Sequence, residues 1–364
     1  MRLAPFVLAP LLLTPLVLAA EISPVAGNGT KGFAGDGGPA TKAELADPGG
    51  IARGPDGALY ICDTANHRIR RLARDGSLTT IAGTGEKGHA GDGGPAVAAQ
   101  LYEPYEVRFD DAGNIYWVER LSHSVRRLDP KTGIITTIAG TGKAGFSGDG
   151  GPAAKAELSD PHSIGFDRAG DLYIADVKNN RVRKVAMKTG VISTLIGNGK
   201  REPTSDGAPI TPQTPVAGPR ALDFAADGTL WLALREGNAV YRLDLARGTI
   251  HHVAGTGEKG YSGDGGPAKA AKLNGPKGIA AAPDGRIYVA DTENHVIRVI
   301  DPRRGTIATA AGTGARATPA ENILAGPVDA LHCALNRPHG VFADRDGAVY
   351  IGDTECQRVL LLRP

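Results

Sequence analysis

Hydrophobic and polar residues alternate in short runs that recur along the whole chain. The clearest runs are "LYICD", "IYWVE" and "LYIAD", which begin at Leu59, Ile115 and Leu172. Short alternating runs rich in β-branched and aromatic residues are typical of β-strands. Glycine, aspartate and asparagine separate the runs, and these residues favour the tight turns of hairpins. The pattern therefore predicts an all-β chain built from many short antiparallel strands.

The predicted strands fall into a repeat that is anchored on a proline. The anchoring residues are Pro48, Pro104, Pro161, Pro219, Pro276 and Pro338, at intervals of 56, 57, 58, 57 and 62 residues. A full repeat contains four predicted strands, which describes one antiparallel blade. Six such blades bury their apolar faces only by packing around a common axis, so we predict a six-bladed β-propeller.

The two ends of the chain complement each other. The sixth repeat stops at "QRVLLLRP", its third strand, whereas the segment "ISPVAGNG" near the N-terminus aligns with the fourth strand of the other repeats. We therefore expect residues 22–26 to complete blade six and close the ring. Residues 21–364 would form a single propeller domain.

A glycine-rich segment connects most blades. Gly83, Gly85 and Gly88 have the spacing of a dinucleotide-binding loop, but that loop opens a long helix in a βαβ unit. Here the segment recurs and is followed by "GDGGPA", a short alanine-rich turn and strands. The aspartates of "GDGGPA" are Asp36, Asp92, Asp149 and Asp264. One carboxylate per loop is too few for calcium, so we interpret the segment as a turn.

The first 20 residues differ from the rest of the chain. Arg2 precedes an apolar run that closes on small residues, which is typical of a secretory signal cleaved near Ala19 or Ala20. We therefore expect a secreted or periplasmic monomer with no membrane insertion after cleavage. The formal charge of +2 is nearly neutral and predicts no nucleic-acid partner. With 3 cysteines, the fold must depend on apolar packing rather than on a disulfide scaffold.

Candidate ligand-binding residues follow the anchoring prolines. The first strand of a propeller blade is innermost, so its start lies at the mouth of the central channel. The residues at this position are Gly49, Tyr105, His162, Arg220, Lys277 and His339, with Glu106 next along. Four of the six can be cationic. An anion, or a ligand with a carboxylate or phosphate, would suit this ring, and a solvated rim without a ligand is the alternative.

Blade four departs from the repeat. An acid ends the second strand of the other blades, at Asp63, Glu119, Asp176, Asp291 and Asp353. We expect these carboxylates to accept backbone N–H groups of the following turn. Blade four has Leu234 at this position and an eroded glycine pattern before it. It is therefore the least constrained blade and a candidate for specialisation.

The repeat resembles the NHL repeat in segments such as "DTANHRIRRL", "DVKNNRVRKV" and "DTENHVIRVI". The resemblance covers essentially all of the expected mature chain. It implies a six-bladed propeller, but not an activity, because NHL propellers serve as protein- or RNA-binding platforms and a minority are enzymes.

A more distant resemblance concerns the peptidylglycine amidating lyase, a six-bladed propeller that holds zinc with three Pro-His pairs in alternating blades. His162 and His339 match two such pairs, but they lie in opposite blades. Tyr105, Arg220 and Lys277 occupy remaining positions and do not supply a tetrahedral zinc site. We expect no cofactor, with zinc or calcium as the weak alternative. The same resemblance implies a Cys333–Cys356 disulfide.

The sequence favours a binding or interaction scaffold over an enzyme. Its ligand would be a protein segment, a glycan or a small anion, bound on the loop-rich face around the channel mouth. The alternative is a metal-dependent enzyme of the lactonase or lyase type, with Glu106, His162 and His339 as its candidate residues.

Overall fold

The computed structural model describes residues 20–318 and 326–363, and the strands in these ranges form six antiparallel sheets around one axis. Blade one contains β2 (Pro48–Arg53), β3 (Leu59–Asp63), β4 (Arg68–Leu72) and β5 (Leu78–Ala82). Blade two contains β6 (Pro104–Phe109), β7 (Ile115–Glu119), β8 (Ser124–Leu128) and β9 (Ile135–Ala139). Blade three contains β10 (Pro161–Phe166), β11 (Leu172–Asp176), β12 (Arg181–Ala186) and β13 (Val191–Ile196).

The remaining blades follow the same order from the axis outward. Blade four contains β14 (Pro219–Phe224), β15 (Leu230–Leu234), β16 (Ala239–Asp244) and β17 (Thr249–Ala254). Blade five contains β18 (Gly278–Ala281), β19 (Ile287–Asp291), β20 (Val296–Asp301) and β21 (Thr306–Ala311). Blade six contains β23 (Gly340–Ala343), β24 (Val349–Asp353), β25 (Arg358–Arg363), β1 (Glu21–Ala26) and the short β22 (Val328–Asp329).

The N-terminal strand completes blade six, and the predicted closed six-bladed propeller is confirmed. Strand β1 pairs antiparallel with β25, so that Ile22 lies opposite Leu362 and Pro24 opposite Leu360. Strand β22 pairs with the first two residues of β1 and leaves Pro24 outside that pairing, where its missing N–H breaks no ladder. The predicted signal peptide lies outside the described residues, except for Ala20. Among the described residues, none of the helices has the length and apolar character needed to cross a membrane.

The "GDGGPA" loops protect the outer edges of the blades. In blade one, the N–H of Gly37 donates to the carbonyl of Leu78 at 2.7 Å, and the N–H of Leu78 donates to Gly38 at 3.0 Å. Asp36 accepts the N–H of Thr80 in the same outer strand at 3.3 Å. Because an uncovered edge strand invites pairing with another chain, the loop does more than make the predicted turn.

A buried arginine joins this loop to the second strand. Arg70 is 0% exposed, and its guanidinium donates to Asp63 at 2.8 Å and to Asp36 at 2.7 Å. Asp63 also accepts the N–H of Ala46 at 2.7 Å, so its backbone donor lies in the loop entering its own blade. The following turn contributes the side-chain amide of Asn66, at 2.9 Å, rather than the backbone N–H that we expected. The same arginine position is filled in blades two, three and five by Arg126, Arg183 and Arg298, each bridging two acids.

A hydrogen bond of constant geometry links each blade to the next. The side chain just before each third strand accepts the backbone N–H of the residue that precedes the next anchoring proline. The six bonds join His67 to Glu103, His123 to Asp160, Asn180 to Gly218, Asn238 to Gly275, His295 to Arg337 and Gln357 to Asp47, at 2.6 to 3.3 Å. The last bond joins blade six to blade one. These contacts were not predicted from the sequence.

We predict that the bonds made by His67, His123 and His295 make the propeller less stable in acid. Burial lowers the pKa of all three imidazoles, so the folded state favours the neutral form that accepts the bond. This stabilisation is complete above the unfolded value of about 6.5 and is lost as the pH falls through the lower folded values. The free energy of urea unfolding should therefore decrease between about pH 7 and pH 5.

Asparagine already makes the same bond in blades three and four, so the triple variant H67N/H123N/H295N should keep the bonds and have a shallower pH dependence. His332→Asn is the matched control, because the His332 side chain is 85% exposed and makes no inter-blade bond of this kind. An unchanged pH dependence in the triple variant would contradict the assignment.

We also predict that Arg70 and Asp63 depend on each other. Arg70→Tyr should destabilise the fold by about 3–5 kcal/mol, because it leaves the buried carboxylate of Asp63 without its cation. The double variant D63L/R70Y copies Leu234 and Tyr241 of blade four and should cost less than the single one. Urea titrations measure the free energy of unfolding of both variants. A double variant that is at least as unstable as R70Y would refute the coupling.

Candidate functional site

Tyr105 lies at the centre of the channel mouth. Its hydroxyl accepts a hydrogen bond from Nη2 of Arg220 at 2.6 Å and lies 3.1 Å from Nδ1 of His339. Its ring centroid is 4.6 Å from that of His162 and 4.9 Å from the guanidinium carbon of Arg220. Lys277 joins this group through its Nζ, which is 3.0 Å from Nε2 of His339. Five side chains from five blades thus meet on the axis.

Blade one contributes no side chain to this cluster. Gly49 brings its backbone so close to blade two that an added Cβ would lie 2.9 Å from the carbonyl oxygen of Tyr105. A glycine at this position therefore lets the two innermost strands approach while Tyr105 fills the centre of the ring.

The cluster carries positive charge that the described residues only partly balance. Arg220 is 8% exposed and has no carboxylate within ion-pair distance in the described ranges. Burial lowers the pKa of Lys277 to about 7, although Glu293 lies 3.1 Å away. Arg337 and Lys277 in turn lower the pKa of Glu293 to about 2. The local field therefore favours an added anion over a cation.

Both histidines of the mouth are neutral at pH 7. Burial, reinforced by Arg220, keeps the pKa of His162 well below its usual value. Burial, reinforced by Lys277 and Arg220, does the same for His339. Nδ1 of His162 is 2.8 Å from the carbonyl oxygen of Asp160. Nε2 of His162 and Nε of Arg220 are buried without a hydrogen-bond partner among the described residues. Two buried polar atoms are thus left over for a ligand or a water.

Glu106 belongs to a separate layer below the mouth. It pairs with Arg108, whose Nη2 also lies 3.8 Å from Asp223. Burial raises the pKa of Glu106 to about 7. A cavity between the two layers, bounded by Tyr105, Glu106 and His339, has a volume of about 10 Å³, no more than a single water requires. The rim is thus packed with buried side chains rather than solvated.

The mouth does not fit a zinc ion. The described residues contain no group of three or more His, Cys, Asp or Glu side chains that could hold a metal. The ring of Tyr105 contacts both His162 and His339, and the cations Arg220 and Lys277 lie beside it. Zinc prefers several anionic or neutral ligands at close range, and additional cations oppose it.

Cys333 and Cys356 are buried in the same region of blade six, at 3% and 0% exposure. The described residues contain no disulfide, so the bond implied by the lyase resemblance is not present in the structure. Burial raises the pKa of the Cys356 thiol. Sγ of Cys333 lies 3.9 Å from Nη2 of Arg358.

Comparisons with known proteins support the assignment of the repeat. The NHL-repeat model matches residues 45–72 and 158–185, and the Teneurin NHL domain model matches residues 239–313. NHL repeat-containing protein 2 of Gallus gallus is 28% identical over 334 residues, which is 84% of this chain and 44% of that protein. Protein SUPPRESSOR OF QUENCHING 1, chloroplastic, of Arabidopsis thaliana is 28% identical over 258 residues, 68% of this chain and 24% of that protein.

The chain therefore spans less than half of the length of these two relatives. Among solved structures, an auxiliary nutrient binding protein from Bacteroides thetaiotaomicron superposes with a TM-score of 0.68 at 16% identity. The superposition covers 94% of this chain and 76% of that one. At this identity the likeness shows the fold alone.

Proposed function

Because the chain is an NHL-repeat six-bladed propeller, we propose that it is a binding scaffold that holds an acidic group of its ligand at the channel mouth. The observation that supports this most directly is Arg220, a buried cation without a carboxylate partner in the described part of the chain. Lys277, His162, His339 and Tyr105 surround it. A solved relative described as a nutrient binding protein is consistent with a binding role.

The ligand would bind from the loop-rich face. Since Tyr105 fills the centre of the ring and the cavity beneath it is only about 10 Å³, the acidic group would lie on the cluster rather than pass down the channel. A carboxylate or phosphate could accept from Nε of Arg220. Nδ1 of the neutral His162 ring donates to the Asp160 carbonyl, so Nε2 could accept from a hydroxyl of the ligand or from a water. The acidic group can come from a small anion, a glycan or a protein segment.

Catalysis at the mouth receives less support. The pKa of Glu106 is raised to about 7, which would suit a general base. However, Glu106 pairs with Arg108 in the layer below, whereas His162 and His339 contact Tyr105. The three residues do not form one acid–base group.

We further propose that the protein is secreted or periplasmic, as the sequence of residues 1–20 indicates, and that it acts as a monomer. In that compartment the buried pair Cys333 and Cys356 would be able to form a disulfide.

Anion binding at the mouth is tested by stability in inorganic phosphate. We expect phosphate to raise the melting temperature of the wild type by selective binding to the folded state. The variant R220A/K277A should lose at least about tenfold in apparent phosphate affinity, because it removes both cations. Arg247→Ala is the control, since the Arg247 side chain is 82% exposed and lies away from the mouth. An unchanged phosphate dependence in R220A/K277A would refute the proposal.

The disulfide is tested by alkylating the unfolded protein with and without prior reduction. Protein exported with its own N-terminal segment should expose one alkylatable thiol, Cys62, without reduction, and all 3 cysteines after it. Cys333→Ala should then expose two thiols without reduction, as Cys356 loses its partner. Three alkylated cysteines in the unreduced exported wild type would rule the bond out.

A further inference from the structure

A second cavity lies between blades four and five, at the end of the blades opposite the channel mouth. Its volume is about 710 Å³, within the usual range of small-molecule sites. Trp231, Arg242 and His251 of blade four line it, together with Lys269 and Arg303.

The blade-four residues form one row across the sheet. Strand pairing sets Trp231 of β15 opposite Arg242 of β16, and Arg242 opposite His251 of β17. Residues that are directly opposite in neighbouring strands project from the same face. An indole, a guanidinium and an imidazole therefore lie side by side on the wall that faces blade five.

In blades one and three, the basic residue of this row is neutralised. In blade one, Nη2 of Arg71 pairs with Asp56 at 2.6 Å, and the hydroxyl of Tyr60 donates to the same carboxylate at 3.1 Å. In blade three, Lys184 pairs with Asp171 at 2.9 Å and lies 3.5 Å from Asp167. Two blades thus supply an acid for this cation, whereas Arg127 of blade two has no ion pair among the described residues.

Blade four has lost these partners. Ala225 occupies the position that Asp110 and Asp167 hold in blades two and three, and Trp231 replaces the tyrosine. Across residues 20–318 and 326–363, no carboxylate lies within ion-pair distance of Arg242, which is exposed to solvent. Asp227 lies in the adjacent turn, where it accepts the N–H of Thr229 at 2.8 Å.

The opposite wall adds charge of the same sign. Arg303 is exposed and also has no ion pair with a described residue. The carboxylate of Asp206, which lines the cavity, already pairs with Lys269 at 2.9 Å. The cavity therefore presents two uncompensated guanidinium groups beside an indole that is 5% exposed.

We propose that this cavity is a binding site for an organic oxyanion with a flat apolar body. Arg242 would pair with the carboxylate or phosphate, because a guanidinium matches the geometry of an oxyanion, and Arg303 would add charge. The body of the ligand would pack against Trp231. The site is independent of the one proposed at the channel mouth, since it lies at the other end of the blades.

The intrinsic fluorescence of the protein reports on this site. The chain has 2 tryptophans, and Trp117 is 0% exposed in blade two, away from the cavity. We expect phenyl phosphate and benzoate to change the emission of Trp231 saturably. Inorganic phosphate should bind at least about tenfold more weakly, and the neutral benzyl alcohol should give no saturable change. The relative affinity of phenyl phosphate and benzoate distinguishes a phosphate from a carboxylate ligand.

The decisive variant is Ala225→Asp, which introduces the acid that Asp167 supplies beside Lys184 in blade three. It should weaken phenyl phosphate binding at least about tenfold by pairing with Arg242, without removing the cation. Arg242→Gln should have a similar effect. Arg71→Gln changes the equivalent, already paired residue of blade one and should leave binding unchanged.

Urea titrations first establish that each variant is folded. The proposal is overturned if neither aromatic anion changes the fluorescence saturably, or if A225D and R242Q bind phenyl phosphate as tightly as the wild type. It is also overturned if benzyl alcohol binds as well as phenyl phosphate, because the anion would then contribute nothing.

Discussion

Closure of the ring is the constraint on which this structure depends. Each blade is a thin sheet that buries its faces only against its neighbours, so the six large core clusters each lie between two blades. Two contacts of blade six close the ring. Strand β1 pairs with β25, and Gln357 of blade six accepts the N–H of Asp47 that leads into blade one. Without these contacts two blade faces and one sheet edge would be exposed to water.

Charge is the second organising feature. The repeat buries an arginine between two acids in blades one, two, three and five, so that each buried charge has a partner. Blade four replaces both members of the buried pair, with Leu234 and Tyr241, and leaves no stranded charge there. Unbalanced cations occur instead at the channel mouth and in the cavity beside Trp231. At each of these two places more than one such cation lies close to the others, which suits the place to bind an anion.

The location of the mouth cluster could be predicted because it follows from repeat register alone. The five residues of the cluster occupy the same position in their repeats: Tyr105, His162, Arg220, Lys277 and His339. In a closed ring, the residues at this position of all the blades point towards the axis and therefore meet there. Their burial could not be predicted, because it depends on how far Tyr105 reaches across the space beside Gly49. The inter-blade bonds were missed, although a polar residue capable of accepting a hydrogen bond stands before every third strand. That recurrence was the available signal.

The amino-acid sequence by itself determined the strand order, the number of blades and the closure of the ring. The alternation of residues and the length of the repeat can be read from the sequence without knowing how the blades pack. Only the tertiary structure decided which charges have partners. Arg71 and Arg242 hold the same position in the repeat, yet one meets Asp56 and the other faces an open cavity. Ion pairing depends on side chains from distant turns and neighbouring blades, and their separation is set by the packed ring rather than by the order of residues.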